Sequence, residues 1–274
     1  MSKDMICPKC YYSVDKWVSY CPKCRMPYAF GLKPRTMEVS PQNSPFINSK
    51  SVKKAIIKRI PTELIDSVLR GGIARGTADL WHGGPGCGKT TIALQCAGAI
   101  AKQNKVVVFL QVEEILKEQR GRLSSYSKLE EAYDSGFYFL VEKTWDGFLS
   151  KIKLVKNKID IVFVDSVNAL EMGKSLWDKV QSLTNFAHKT NTAVVMIMHV
   201  NKGMQIAGRK DNEHLVDGIL EFSALKKGTT KVVVKKGRYY PLREEKLLEL
   251  HDGIGFEEPT IKEDKNETQE NAKV

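Results

Sequence analysis

One run constrains this chain more than any other: Ala78-Asp-Leu-Trp-His-Gly83-Gly-Pro-Gly86-Cys-Gly88-Lys-Thr90-Thr-Ile-Ala-Leu94. Gly83, Gly88, Lys89 and Thr90 satisfy G-x-x-x-x-G-K-[ST], with a strand-like apolar run before the turn and a helix-forming run after it, the context that gives the pattern meaning. Glycines at Gly83, Gly84, Gly86 and Gly88 allow a loop whose amides point inward, at a helix N-terminus that already favours anions. The reading is a triphosphate cradle lined by Gly83, Gly84, Pro85, Gly86, Cys87, Gly88 and Thr91. Lys89 would reach the β and γ phosphates and the Thr90 hydroxyl would hold magnesium, so ATP and Mg2+ are the expected cofactors.

Such a cradle needs an acid on a neighbouring strand, and Ile159-Asp-Ile-Val-Phe-Val-Asp165 supplies an apolar run ending in a carboxylate. Asp165 is therefore the candidate to hold magnesium through water, whereas Asp160 starts the strand, away from the edge where ligands bind. Val106 to Val112 ends in Glu113 and Glu114; one of these would polarise an attacking water, or both are ordinary acids in the first turn of the next helix. Further apolar runs at Phe137 to Glu142 and Ala193 to His199 alternate with helical segments, and a helix is expected at about Pro61 to Arg70. Alternation of this kind makes the fold class α/β with a mostly parallel central sheet. Leu176, Trp177, Val180, Leu183, Phe186 and Ala187 mark one face of a core helix. After His199, short runs at Gly218 to Phe222, Thr230 to Lys235 and Lys246 to Leu250 predict an antiparallel extension.

Four of the six cysteines fall close together as two C-P-K-C knuckles, Cys7 and Cys10, then Cys21 and Cys24. Two such knuckles close a tetrahedron of thiolates round one Zn2+, a structural site because four thiolates leave no open position. About 30 residues cannot bury a sufficient core, so the metal would supply the folding energy. Residues 31–52 hold Pro34, Pro41 and Pro45 among serines without apolar periodicity, and read as a linker. The last eighteen residues carry six acids against three lysines and read as a disordered acidic tail, so the body before them is more basic than the net +11 of the whole chain. That balance suits a polyanionic partner or a lysine-solubilised surface equally well. No apolar run reaches the length of a membrane span and no secretory core segment opens the chain, so a reducing, cytoplasmic location is expected.

The combination resembles the bacterial DNA-repair ATPase family RadA, also called Sms, a branch of the RecA-like motors. C-P-K-C, then Lys16-Trp17, then C-P-K-C looks like that family's ribbon, and Arg59-Ile-Pro-Thr with Leu64-Ile-Asp66 and Gly71-Gly-Ile looks like its approach to the ATPase core. His199-Val-Asn-Lys202, Gln205-Ile-Ala-Gly208 and Glu213-His-Leu-Val-Asp217 are similar to its H-V-T-K…I-A-G…E-H-x-V-D block. The resemblance implies a RecA-like P-loop core behind a four-cysteine zinc ribbon. It implies that Glu113 activates water, that His199 senses the γ-phosphate, and that Lys202, Arg209 and Lys210 hold DNA in a mobile loop. Lys236-Gly-Arg238-Tyr-Tyr240 occupies the place of the family's K-N-R-F-G motif, whose two cations are implied to reach the ATP of an adjacent subunit. Gly237, Tyr239 and Tyr240 depart from that motif, which puts the coupling of hydrolysis to movement in question.

The expectation is thus a ribbon over residues 1–30, a linker over 31–52, an ATPase domain over 53–256 and a tail over 257–274. The relatives usually continue into a Lon-protease-like domain, so this is a short form. The expected activity is an ATP-driven helicase or translocase on single-stranded or branched DNA in recombination and repair. It would work as a ring, a hexamer favoured, with a recombinase as a further partner. The alternatives are a nucleotide-gated DNA-binding or loading module that does not unwind, and a compact replicative helicase, against which the missing primase segment argues.

Overall fold

The computed structural model describes residues 5–7, 10, 12–14, 18–25, 31–32, 56–112, 121, 124–134, 137–155, 158–199, 210–226 and 228–259. The chain divides into two units, Met1–Ile56 and Ile57–Val274. In the first, β1 (Met5–Ile6) pairs antiparallel with both β2 (Ser13–Val14) and β3 (Gly31–Leu32). Gly31 and Leu32, at the start of the expected linker, thus close the small sheet.

In the second unit β4 (Arg59–Ile60) pairs antiparallel with β5 (Ile73–Ala74). The helix expected between them is not formed; residues 63–70 are turns. The Asp66 carboxylate accepts from the Thr62 amide and hydroxyl, both at 2.7 Å, and from the Glu63 amide. Glu63 and Arg70 take left-handed φ values of 64° and 54°, which end helical propagation at both sides. The apolar spacing that suggested a helix still buries Leu64, Ile65, Val68 and Leu69, delivered by turns instead.

Parallel strands buried on both faces read as unbroken apolar runs. Five apolar runs build the parallel part of the sheet: β6 (Ala78–Gly83), β7 (Val107–Gln111), β8 (Tyr138–Val141), β9 (Ile161–Asp165) and β10 (Ala193–His199). Of these β8 stands at the edge, with Tyr138 and Val141 exposed. They are joined by β11 (Gly218–Lys226), β12 (Thr229–Gly237), β13 (Glu245–His251) and β14 (Gly255–Glu257). The order is β14-β13-β12-β11-β6-β10-β9-β7-β8. The extension differs from expectation in one respect: β11 runs parallel to β6, and the antiparallel pairing begins only between β11 and β12.

Helices cover both faces. α1 (Lys89–Lys102) lies over a core of Trp81, Phe109, Phe163 and Phe222, with Phe109 stacked on Phe163 at 5.7 Å. α2 (Ser127–Asp134) packs beside α1. On the opposite face α3 (Trp145–Ile152) and α4 (Leu176–Thr190) bury Phe148, Val180, Leu183 and Ala187 against Leu80, Val164 and Met196, as the periodicity of that face predicts. Among the described residues no helix is long and apolar enough to cross a membrane. The register aligns the strand ends: Gly83 lies opposite both His199 and Phe222, and Gln111 lies opposite Asp165. One edge of the sheet therefore gathers the strand ends Gly83, Asp165 and His199 that the sequence marks for chemistry.

Candidate active site

Between β6 and α1 the loop is held open by backbone fit. A Cβ on Gly83 would lie 2.2 Å from the Phe222 carbonyl oxygen, so no other residue lets β11 approach here. Gly86 and Gly88 take φ values of 74° and 84°, the left-handed turn that glycine permits. Gly88 caps α1 without a side-chain hydrogen bond, and no acid stands in its first turn. By contrast Thr144 caps α3 and Ser175 caps α4 through their side chains. The first amides of α1 are thus left for an anion rather than for the protein's own oxygen.

Lys89 is nearly sealed from solvent, at 3% exposure, and its Nζ donates to the carbonyls of Gly83 and Gly84, each at 2.8 Å. A buried ammonium satisfied by neutral carbonyls favours a phosphate that carries charge. Thr90 Oγ1 donates to Asp165 Oδ2 at 2.7 Å, so the two expected magnesium residues meet directly. Gln111, the neighbour of Asp165 across the register, is 1% exposed, and among the described residues both its amide atoms lack a hydrogen-bond partner. An unpaired buried amide costs about 1–3 kcal/mol, a cost that a ligand in the cleft would remove. The cleft itself is about 670 Å³ and is lined by Pro85, Gly86, Gly88, Lys89, Thr90, Thr91, Gln111, Asp165 and His199 on one side. Its other wall comes from the β11–β12 turn, with Thr229 and Thr230, and from Leu250 and Phe256. These residues fit a magnesium-bound triphosphate: an uncapped helix start, a sealed lysine, a hydroxyl beside a carboxylate and an orphaned amide.

The second wall is tied to the loop. Thr230 Oγ1 donates to the Cys87 carbonyl at 3.0 Å. Gln95 of α1 clamps the Phe256 backbone through both amide atoms, at 2.7 and 3.0 Å. The Phe256 ring fills the space where a Gly88 Cβ would stand, 2.5 Å away. Sequence reading missed Gln95, Gln111, Thr230 and Phe256. Only Gln111 carried a sign, as a polar residue ending an apolar strand beside expected acids. His199 ends β10 at the cleft, its amide donating to Asn168 Oδ1 at 3.0 Å. Glu113, Lys202 and Arg209 lie outside the described residues, and Lys210 opens a short 3₁₀ turn, Lys210–Leu215.

Lys236 and Arg238 sit elsewhere. Gly218 pairs with both Gly237 and Asp79, which places these cations at the start of β6, four residues from Gly83 and roughly 13 Å along the strand. Lys236 Nζ donates to the Glu213 and Val216 carbonyls. Burial, and then Arg238 beside it, lowers its pKa. Arg238 pairs with Asp217 at 3.0 Å and donates to the His214 carbonyl. Asp217 is itself buried, and its other oxygen meets the Ala78 amide and the His188 ring. Neither cation faces the cleft of its own chain.

In the first unit Cys7, Cys10, Cys21 and Cys24 bring their sulfurs within 4.8 Å of one another. The nearest pairs, Cys7 with Cys24 and Cys10 with Cys21, are 3.5 Å apart, contact distance rather than a bond. The Tyr12 backbone lowers the Cys10 pKa, but desolvation and its three thiol neighbours together push it up to about 12. Thiolates so crowded need a cation among them, and four sulfurs at this spacing fit Zn2+.

A family profile described as "ATPase: KaiC" matches residues 59–240, the span of β4 to Tyr240. The DNA repair protein RadA of Listeria monocytogenes is 27% identical over 266 residues, covering 90% of this chain and 57% of that protein. The DNA repair protein RadA of Brucella abortus is 30% identical over 199 residues, covering 69% and 42%. The chain thus spans about half the length of the curated relatives it matches. Among solved structures, a KaiC-like protein from Pyrococcus horikoshii superposes with a TM-score of 0.58 at 18% identity, covering 75% of this chain and 100% of that one. The RadB recombinase gives 0.55 at 21%, covering 72% and 96%. The chain belongs to the KaiC-type ATPase family, and its sequence is similar to the DNA repair proteins RadA.

Proposed function

We propose that the protein is an ATP-hydrolysing motor on single-stranded or branched DNA, working in recombination and repair as a closed ring, a hexamer favoured. The observation that carries this reading is the separation within one sheet. The phosphate cradle with Thr90 and Asp165 lies at one edge, and Lys236 with Arg238 lies at the other. Cations so placed serve a neighbour's nucleotide rather than their own, and delivered in trans they stabilise transition-state charge only in the assembly. Lys89 and Thr90 hold the phosphates and magnesium, Glu113 activates water, and His199 responds to the γ-phosphate. Lys202, Arg209 and Lys210 contact DNA, and a recombinase is a further partner. The RadA relatives, named for DNA repair, support the DNA substrate. The test is ATP turnover with and without single-stranded DNA across protein concentration. Turnover should rise with both and vanish in Lys89→Ala; turnover indifferent to DNA sinks the motor reading.

A second reading, a nucleotide-gated loading module without unwinding, is favoured by the bonds that hold the cations in place. Arg238 is bound to a buried carboxylate, and Tyr240, where the family motif has glycine, hydrogen-bonds Asp79 inside the core. Strand displacement by the protein alone excludes this reading.

A further inference from the structure

Gln111 ends β7 on the face covered by α1, beside Asp165 in the register and in the lining of the cleft that also holds Thr90 and Lys89. The rest of its strand, Val107 to Leu110, is buried and apolar. Among the described residues neither amide atom has a hydrogen-bond partner, although a donor or acceptor reaches almost every buried polar group in folded chains. An amide offers one acceptor and two donors, so it can serve a cation's water shell and an anion at once. Magnesium bound to nucleotides keeps several waters, and the Thr90–Asp165 pair marks where that ion would be held.

We propose that Gln111 is a ligand-positioning residue of the nucleotide site. Its carbonyl oxygen accepts from a water on the magnesium, and its amide nitrogen donates to the terminal phosphate. The idea rests on the nucleotide reading above and adds to it a residue that the P-loop pattern does not contain. Gln111 would distinguish a magnesium-bound triphosphate from a diphosphate, because only the former reaches both ends of the amide.

The full chain is titrated with magnesium in the presence of a fluorescent, non-hydrolysable ATP analogue, for the unaltered protein and for Gln111→Leu, with Lys89→Ala as control. The leucine variant should need about ten-fold more magnesium for half-maximal binding, the scale of loss when a group supporting metal ligands is removed. Its affinity for ADP without magnesium should stay unchanged. Without nucleotide it should melt no lower than the unaltered protein, because the amide it loses is unpaired. An unshifted magnesium midpoint overturns the proposal, and so does a lower melting temperature without nucleotide, which would reveal a structural partner. If the unaltered protein binds the analogue no better than Lys89→Ala, the nucleotide reading itself fails and carries this proposal with it.

Discussion

At the scale of single residues, buried polar groups stand at both ends of β6. At the cleft end, Lys89 and Thr90 were legible from the fixed spacing of a glycine loop, and Asp165 as the carboxylate that ends an apolar run. Gln111 was not, because its meaning comes from the register that sets it against Asp165. At the far end Asp79 is wholly buried, and its carboxylate accepts from the Tyr240 hydroxyl. Burial pushes its pKa up to about 7, against the Tyr240 hydrogen bond and with the help of Asp217. An unfolded aspartate titrates at about 4, so between these values the folded chain holds a proton that the unfolded chain has lost. Stability from this group is complete at low pH, falls as pH rises through that window, and levels off above it, a loss on the order of a few kcal/mol. Asp79→Asn keeps the acceptor for Tyr240 and removes the titration. Thermal melts should therefore show the unaltered protein losing ground to the variant from about pH 4 to about pH 7, and parallel curves would contradict the assignment.

At the scale of elements, the inner parallel strands were readable because each is buried on both faces, leaving little that is polar to blur the run. The turn at 63–70 was misread because burial alone can impose an apolar spacing without a helix, and the Asp66 hydrogen bonds that decide the matter leave no periodic trace. Strand β14 was missed for a related reason. Its three residues are too few to show alternation, yet Phe256 braces Gly88 and its backbone is clamped by Gln95. Truncating that ring should therefore cost more than a core cavity. Phe256→Ala should destabilise the chain by about 3–5 kcal/mol in denaturant melts and also weaken nucleotide binding, since the phosphate loop loses its brace. Loss of stability with unchanged nucleotide affinity would show that the loop stands without it.

At the scale of the whole molecule, the two units answer to different sources of stability. The first has two buried cysteines as the centre of its only apolar cluster among the described residues, whereas the second has a nine-stranded sheet with a core on each face. Removing zinc with a chelator should abolish the low-temperature transition of the first unit in calorimetry and leave the main transition in place. A main transition that moves with the metal would mean that the units fold as one. The sequence showed both units through their densest patterns, paired knuckles and a glycine loop, but it offered no view of where Lys236 and Arg238 stand on the sheet. That position has a consequence in symmetry. If Lys236 and Arg238 serve the cradle of a neighbouring chain, the receiving and delivering halves of each site lie at opposite strand ends of one sheet. A head-to-tail, heterologous contact between such halves would yield a ring when the rotation closes and a helix when it does not. In a closed ring every chain owns a finished site, while an open one always leaves a terminal cradle unserved. Closure itself would then switch on the last site.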